Sequence, residues 1–394
     1  MLKVILKPGR EKSLLRRHPW VFSGAIIHDI NPKSLGETVK IVAQDGEFMA
    51  FGAYSPHSQI RLRIWTFDPD EEVDGNFFRR RVEKALVMRS RLIADNISAL
   101  RLVNAESDGL PGLVIDKYAD FLVCQFLSAG TEYFKQEIID KLCLLLNPAG
   151  IFERSDTESR KKEGLATNVG LLYGKEPPDI ITVEQNEIKF LVNIRHGHKT
   201  GMYLDQRENR NIIQKYAKNA DVLNCFAYTG AFALAALCGG AERVTNIESS
   251  AEAIDMIIRN TNLNGYDVSK MINVQCDAFQ ELRKYRETGA KFDLVIIDPP
   301  KFVHSAQQIQ RGCRGYKDIN LLAMKLLNEN GILITFSCSG HLSLELFQKV
   351  IADAAFDAGR SARIVSVLEQ PVDHPVSLNF PEGRYLKGLV CYLD

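Results

Sequence analysis

From about residue 195 onward, short apolar runs alternate with helix-length stretches, and this texture limits the fold more than any other feature of the chain. The runs DVLNC, RVTNIE, MINVQC, FDLVIIDPP and ILITFSC read as strands, with helices over AFALAALCGG and AEAIDMIIRNTNLNG between them. Strands alternating with helices imply an α/β fold with a doubly wound, mostly parallel sheet. In such a sheet ligands sit at the carboxyl ends of the strands, so the residues just after each strand carry the chemistry.

The chain ahead of this region has a different texture. Residues 1–75 read as a small β-rich module, with VILK, the alternating IRLRIWT and turns at Gly36, Gly46 and Gly52. Asp74 is placed to cap a helix that buries Phe78, Val82, Ala85 and Leu86 and turns arginines outward. Residues 76–190 read as an α+β middle domain containing the strand FLVCQFL and the helix TEYFKQEIIDKLCLLL, and residues 191–394 form the doubly wound domain. At 394 residues the chain is too long for one core, which agrees with several domains.

Charge and cysteine content exclude some functions. The formal charge is zero, yet Lys3, Lys7, Arg10, Lys12, Arg16 and Arg17 crowd the first 20 residues and Arg79, Arg80 and Arg81 stand together later, as local basic surfaces do. No run is long and apolar enough for a membrane span and no secretory signal is visible, so the expected location is cytoplasmic. Eight cysteines without a Cys-x-x-Cys pair fit separate reduced thiols better than a zinc site or disulfide framework. His196 and His198 lack an evident third ligand, so no metal is expected.

The strand ends form an ordered set. The first is followed by Asn224-Cys225-Phe226-Ala227-Tyr228-Thr229-Gly230, and the second ends at Glu248, 18 residues past Gly230, where an acid can receive ribose hydroxyls. A dinucleotide pyrophosphate needs a G-x-G-x-x-G cradle, and the single glycine here disfavours a nicotinamide-dependent dehydrogenase. S-adenosylmethionine has a ribose and an adenine but no phosphate, and Glu248 with Asp277 suits it; an isolated acid at either place reads more readily as a helix cap, and it is the ordered set that favours the cofactor. The fourth strand ends in Asp298-Pro299-Pro300-Lys301, whose prolines must turn the chain out of the sheet.

A further strand ends at Ser337-Cys338-Ser339-Gly340 and sets a thiol at the same edge. Carbon 5 of a pyrimidine accepts a methyl group only after a thiolate has added to carbon 6, so a thiol here points to that chemistry. Cys338 is the expected nucleophile, and Asp298 the group that hydrogen-bonds the cytosine edge. Cys313, flanked by Arg311 and Arg314 that should lower its pKa, is the competing thiol, and Cys225 is expected to line the cofactor pocket.

Several long segments resemble one family. GREKSLLRRHPWVFSGAI, ESDGLPGLVID, GHKTGMYLDQRENR, LNCFAYTGAFA, DPPKF, CRGYKDIN and TFSCSG are similar to the bacterial large-subunit ribosomal RNA methyltransferases that modify carbon 5 of a cytosine in 23S rRNA. The resemblance implies a PUA domain over residues 1–75, a mixed middle domain, and a Rossmann-like class I methyltransferase domain dependent on S-adenosylmethionine over 191–394. It implies that Phe226, Tyr228, Gly230, Glu248, Asp277 and Asp298 surround the methyl donor with Gln206 and Arg207 nearby, that Cys338 is the nucleophile, and that the partner is 23S rRNA or a large-subunit precursor. Many related enzymes carry a second cysteine just after the Asp-x-Pro turn to help product leave; here Lys301 stands there, which leaves the base for the last proton unassigned. The rival readings are methylation of a base nitrogen on the same scaffold, which needs no cysteine, and a non-catalytic RNA-binding factor.

Overall fold

The alternating runs build a sheet of β1 (Asp221–Cys225), β2 (Arg243–Glu248), β3 (Met271–Gln275), β4 (Phe292–Ile297), β5 (Leu327–Ser337), β6 (Ala362–Leu368) and β7 (Lys387–Leu393). Its spatial order is β3-β2-β1-β4-β5-β7-β6. The first five strands run parallel, and β7 is antiparallel to both of its neighbours. The chain winds outward from β1 in one direction and from β4 in the other, so a crevice opens at the carboxyl ends of these two adjacent strands.

Six helices are labelled here: α1 (Arg207–Tyr216), α2 (Ala231–Cys238), α3 (Ala251–Leu263), α4 (Ala278–Thr288), α5 (Ile309–Leu326) and α6 (Leu344–Ala358). Central strands covered on both faces must be apolar throughout, as Leu294 to Ile297 of β4 are. One core gathers Leu223, Ile247, Val295, Leu333, Ile319, Leu322, Phe347 and Ile351. Closing the sheet with β7 and β6 goes beyond the strands read from sequence. Gly388 permits it: a Cβ there would meet the Phe336 ring at 2.5 Å.

The structure, a computed structural model, describes residues 1–94 and 97–394. They group into two compact units, one of residues 1–183, 192–204 and 372–383, the other of 184–191, 205–371 and 384–394. Among the described residues no helix is long and apolar enough to cross a membrane.

The first unit contains two five-stranded sheets. One orders Lys3–Ile5, Thr38–Val42, Phe48–Tyr54, Ile60–Thr66 and Trp20–Phe22. The other orders Asn168–Gly174, Gly150–Ser155, Phe121–Phe126, Leu113–Tyr118 and Ala99–Asn104. The helix Gly75–Leu92 begins where expected, with the Asp74 carboxylate accepting the Phe77 N–H. Trp65 of the first sheet packs edge-on to Phe77, Phe78 and Phe134 and so joins, with Ala53, the core of the second sheet, while Val39, Ile41, Leu62 and Ile64 gather in a core of the first sheet's own.

Residues 372–383 belong to the first unit because Asp373, fully buried, accepts the Arg101 N–H at 3.0 Å while its carbonyl accepts from Arg89 at 2.9 Å. Asn104 and Ser107 bind the same segment at Pro375 and Ser377.

Candidate active site

The loop after β1 is bent by backbone that side chains rarely adopt. Phe226 and Tyr228 have φ of 61° and 48°, and Gly230 has φ of 82°. Aromatic residues in the left-handed region are costly and persist where the surroundings hold them. Glu248 supplies part of that hold: one carboxylate oxygen accepts the Tyr228 N–H at 2.8 Å, and the other accepts the Ser250 N–H at 2.9 Å. The oxygen that binds Ser250 also accepts from the Ser249 hydroxyl at 3.2 Å, so it is the oxygen facing Tyr228 that keeps lone-pair capacity for a donor such as a ribose hydroxyl. At Gly230 a Cβ would press on Ile257 of α3 at 3.0 Å, so the backbone closes on α3 with no room for a side chain.

Asp277 takes the capping role that is the alternative for a strand-end acid. One oxygen accepts the Gln280 N–H at 3.1 Å at the start of α4, and the side chain is exposed. It stands beyond β3, which neighbours the β2 strand carrying Glu248.

Asp298 leaves β4 at the crevice and accepts from Gln206 Nε2 at 3.1 Å. Gln206 is itself fixed by Asn209, whose amide donates to its oxygen at 2.6 Å and to the Glu369 carbonyl at 3.2 Å. Arg207 is completely buried and its Nε donates to Glu208 at 3.2 Å. The structure thus joins Gln206 to Asp298, while Arg207 lies within the packing at the start of α1.

The thiols separate clearly. Cys225 is wholly buried and burial pushes its thiol well up, so it packs beneath the loop. For Cys313 the structure corrects the expectation of a lowered pKa: packing against the sheet core buries the thiol enough to raise it, and the flanking arginines do not offset this. Cys338 follows the last residue of β5 and is partly exposed.

Around Cys338 the side chains form a polar cluster. The Ser337 hydroxyl donates to the Tyr316 hydroxyl at 2.9 Å, Tyr316 and Ser339 hydroxyls lie 3.0 Å apart, and the Val303 N–H donates to Ser339 Oγ at 3.3 Å. Burial raises the Tyr316 phenol, and a negative charge at Cys338 would raise it further.

Lys387 is the residue that sequence inspection missed. It is 5% exposed, lies opposite Ser337 in the β5–β7 ladder, and donates to the carbonyls of Ser339 at 2.8 Å and Tyr385 at 2.9 Å. Burial pulls its pKa from 10.5 to about 8, a Cys338 thiolate pushes it back up, and Lys301 pulls it down. The only sequence signal is a lysine opening an otherwise apolar strand, which a surface strand would show equally.

His196 and His198 lie in the first unit, where His198 Nδ1 is 3.2 Å from the Tyr203 hydroxyl. Among the described residues no group of three or more potential metal ligands converges.

The doubly wound sheet, with an acid at the end of β2 and a glycine turn after β1, defines the class of fold, and the comparisons identify the family within it. A family model for S-adenosylmethionine-dependent methyltransferases matches residues 166–379, and one for PUA-like domains matches residues 4–67. Ribosomal RNA large subunit methyltransferase I of Shigella boydii serotype 4 is 51% identical over 391 residues, covering 99% of both chains, and that of Escherichia coli O157:H7 is equally similar. A SAM-dependent methyltransferase from Streptococcus mutans shares the fold over 100% of both chains, with a TM-score of 0.86 at 23% identity. SMU.776, a methyltransferase solved with SAH, has a TM-score of 0.87 at 22% identity and the same coverage.

The chain belongs to the ribosomal RNA large subunit methyltransferase I family of S-adenosylmethionine-dependent methyltransferases. Its cofactor is S-adenosylmethionine, and the Glu248 oxygen that accepts the Tyr228 N–H keeps capacity for a donor such as a ribose hydroxyl.

Proposed function

We propose that this protein methylates carbon 5 of a cytosine in 23S rRNA, or in its large-subunit precursor, through a covalent adduct on Cys338. The observation that carries this reading is the partly exposed thiol at the end of β5, beside β4 and Asp298 on the same edge as Glu248. The relatives' activity on large-subunit ribosomal RNA supports the substrate class.

The cofactor supplies an electrophilic methyl group. The protein's own residues do the rest. Glu248 anchors the ribose and the loop from Phe226 to Gly230 walls the donor, with Asp277 at the adenine side. Asp298, oriented by Gln206, hydrogen-bonds the cytosine edge and stabilises the charge that gathers when the Cys338 thiolate adds to carbon 6. The cytosine must be unpaired or flipped to reach the thiol.

The test is transfer of a labelled methyl group to unmodified large-subunit rRNA, with the product nucleoside identified. Wild type should yield 5-methylcytosine and Cys338→Ala none. A Cys338→Ala enzyme that still methylates would overturn the covalent route and favour a base nitrogen as acceptor.

A further inference from the structure

Lys387 is out of place on general physical grounds. A buried ammonium is costly unless it is paired, and among the described residues no carboxylate pairs with this one. Two of its three donors are spent on the carbonyls of Ser339 and Tyr385, and those bonds fix Nζ beside the turn that carries Cys338. The fixing continues outward, since the Tyr385 hydroxyl donates to Asp205 at 2.8 Å.

The titratable groups that bear on Lys387 come from each element packed there: Cys338 after β5, Lys301 after β4, and Tyr316 of α5, which reaches the same turn through Ser337 and Ser339. Of these, Cys338 is the one whose ionised form favours the ammonium.

We propose that Lys387 is the positioning residue that ionises Cys338, holding its thiolate as the counter-ion of a buried ammonium. The Sγ–H bond breaks, its electron pair stays on sulfur, and the proton ends on the Lys387 amine, so the pair changes from thiol and amine to thiolate and ammonium without change of net charge. The thiolate then has the lone pair that forms the bond to carbon 6. This role rests on the reading of Cys338 as nucleophile. Burial brings Lys387 down to about 8, close to the ordinary thiol value of about 8.5, and an amine and a thiol so matched exchange a proton at little cost.

The experiment follows alkylation of Cys338 by iodoacetamide against pH in the full-length protein, reading the Cys338 peptide by mass spectrometry. Calorimetric binding of S-adenosylmethionine serves as the check on folding. In wild type the midpoint should fall clearly below about 8.5, the ordinary thiol value. In Lys387→Met it should rise by about one unit or more, slowing alkylation at pH 7 about tenfold, and in Lys387→Arg, which keeps the charge, it should stay low. A wild-type midpoint at or above the ordinary value overturns the proposal without any variant, as does an unchanged midpoint in Lys387→Met. Product analysis of Cys338→Ala separates the two ideas: if that variant still makes 5-methylcytosine, the nucleophile reading fails, whereas an inactive Cys338→Ala with an unmoved Lys387→Met profile sinks the lysine alone.

Discussion

Glu248 accepts backbone N–H groups from the loops after both β1 and β2, so it orders the cradle before any ligand arrives. A hydrogen bond to a charged acceptor contributes about 1.5–3 kcal/mol. Glu248→Gln should therefore weaken S-adenosylmethionine binding roughly tenfold to a hundredfold by calorimetry while the protein stays folded; unchanged affinity would remove Glu248 from the donor site. Lys387 makes a prediction about stability. Its folded value, about 8, lies below the ordinary 10.5, so the unfolded chain binds more protons between those values and stability rises with pH across that window. Below about pH 8 the burial cost is fully present. At about 1.36 kcal/mol per unit, wild type should gain up to about 3 kcal/mol relative to Lys387→Met between pH 7 and 10.5. Urea denaturation at several pH values measures this, and parallel curves would show that Lys387 is not depressed.

At the scale of elements, the first turns of α5 lie directly on the loop that follows Asp298. A Cβ at Gly312 would sit 2.3 Å from Val303, and one at Gly315 would sit 3.2 Å from the Phe302 ring. Gly312→Ala should force this contact apart and cost about 1–3 kcal/mol, with loss of activity exceeding loss of cofactor binding; a fully active variant would mean the loop is not part of the substrate site. The same turns border a cavity of about 370 Å³ lined by Lys301, Phe302, His304, Gln308 and Arg311. Among the described residues Lys301, Arg311 and Arg314 have no acidic partner, whereas Lys317 on the same helix pairs with Asp357 at 2.7 Å. Unpaired cations beside the strand ends suit RNA phosphates. Replacing Arg311 and Arg314 by Gln should lower the slope of log affinity for RNA against log salt by about 1–2 and leave S-adenosylmethionine binding unchanged.

In the whole molecule, what could be read from sequence follows from how local each signal is. The placement of Glu248, Asp298 and Cys338 at the sheet's carboxyl edge was legible because each lies at the last position of an apolar run or just past it. Lys387 was not, because its burial depends on β7 inserting antiparallel between β5 and β6, a pairing between segments far apart in the chain. The attachment of residues 372–383 to the first unit was hidden likewise, since Asp373 meets Arg101 across more than 270 positions. That attachment predicts that residues 1–190 expressed alone lose the two acceptors that Asp373 gives to Arg89 and to the Arg101 N–H, while Arg89 keeps Asp108. Such a fragment should melt several degrees below the same segment plus a peptide of residues 370–385 supplied in trans; identical melting would mean the segment contributes nothing.

The most direct measurement is capture of the covalent intermediate on RNA in which cytosine carries fluorine at carbon 5. After methyl transfer the fluorine cannot leave as a proton does, so the adduct persists. Incubation with S-adenosylmethionine should give a complex that survives denaturation, with the RNA fragment linked to the Cys338 peptide, and Cys338→Ala should give none. An adduct on another cysteine, or normal methylation of unmodified RNA with no adduct on the fluorinated strand, would contradict nucleophilic attack by Cys338.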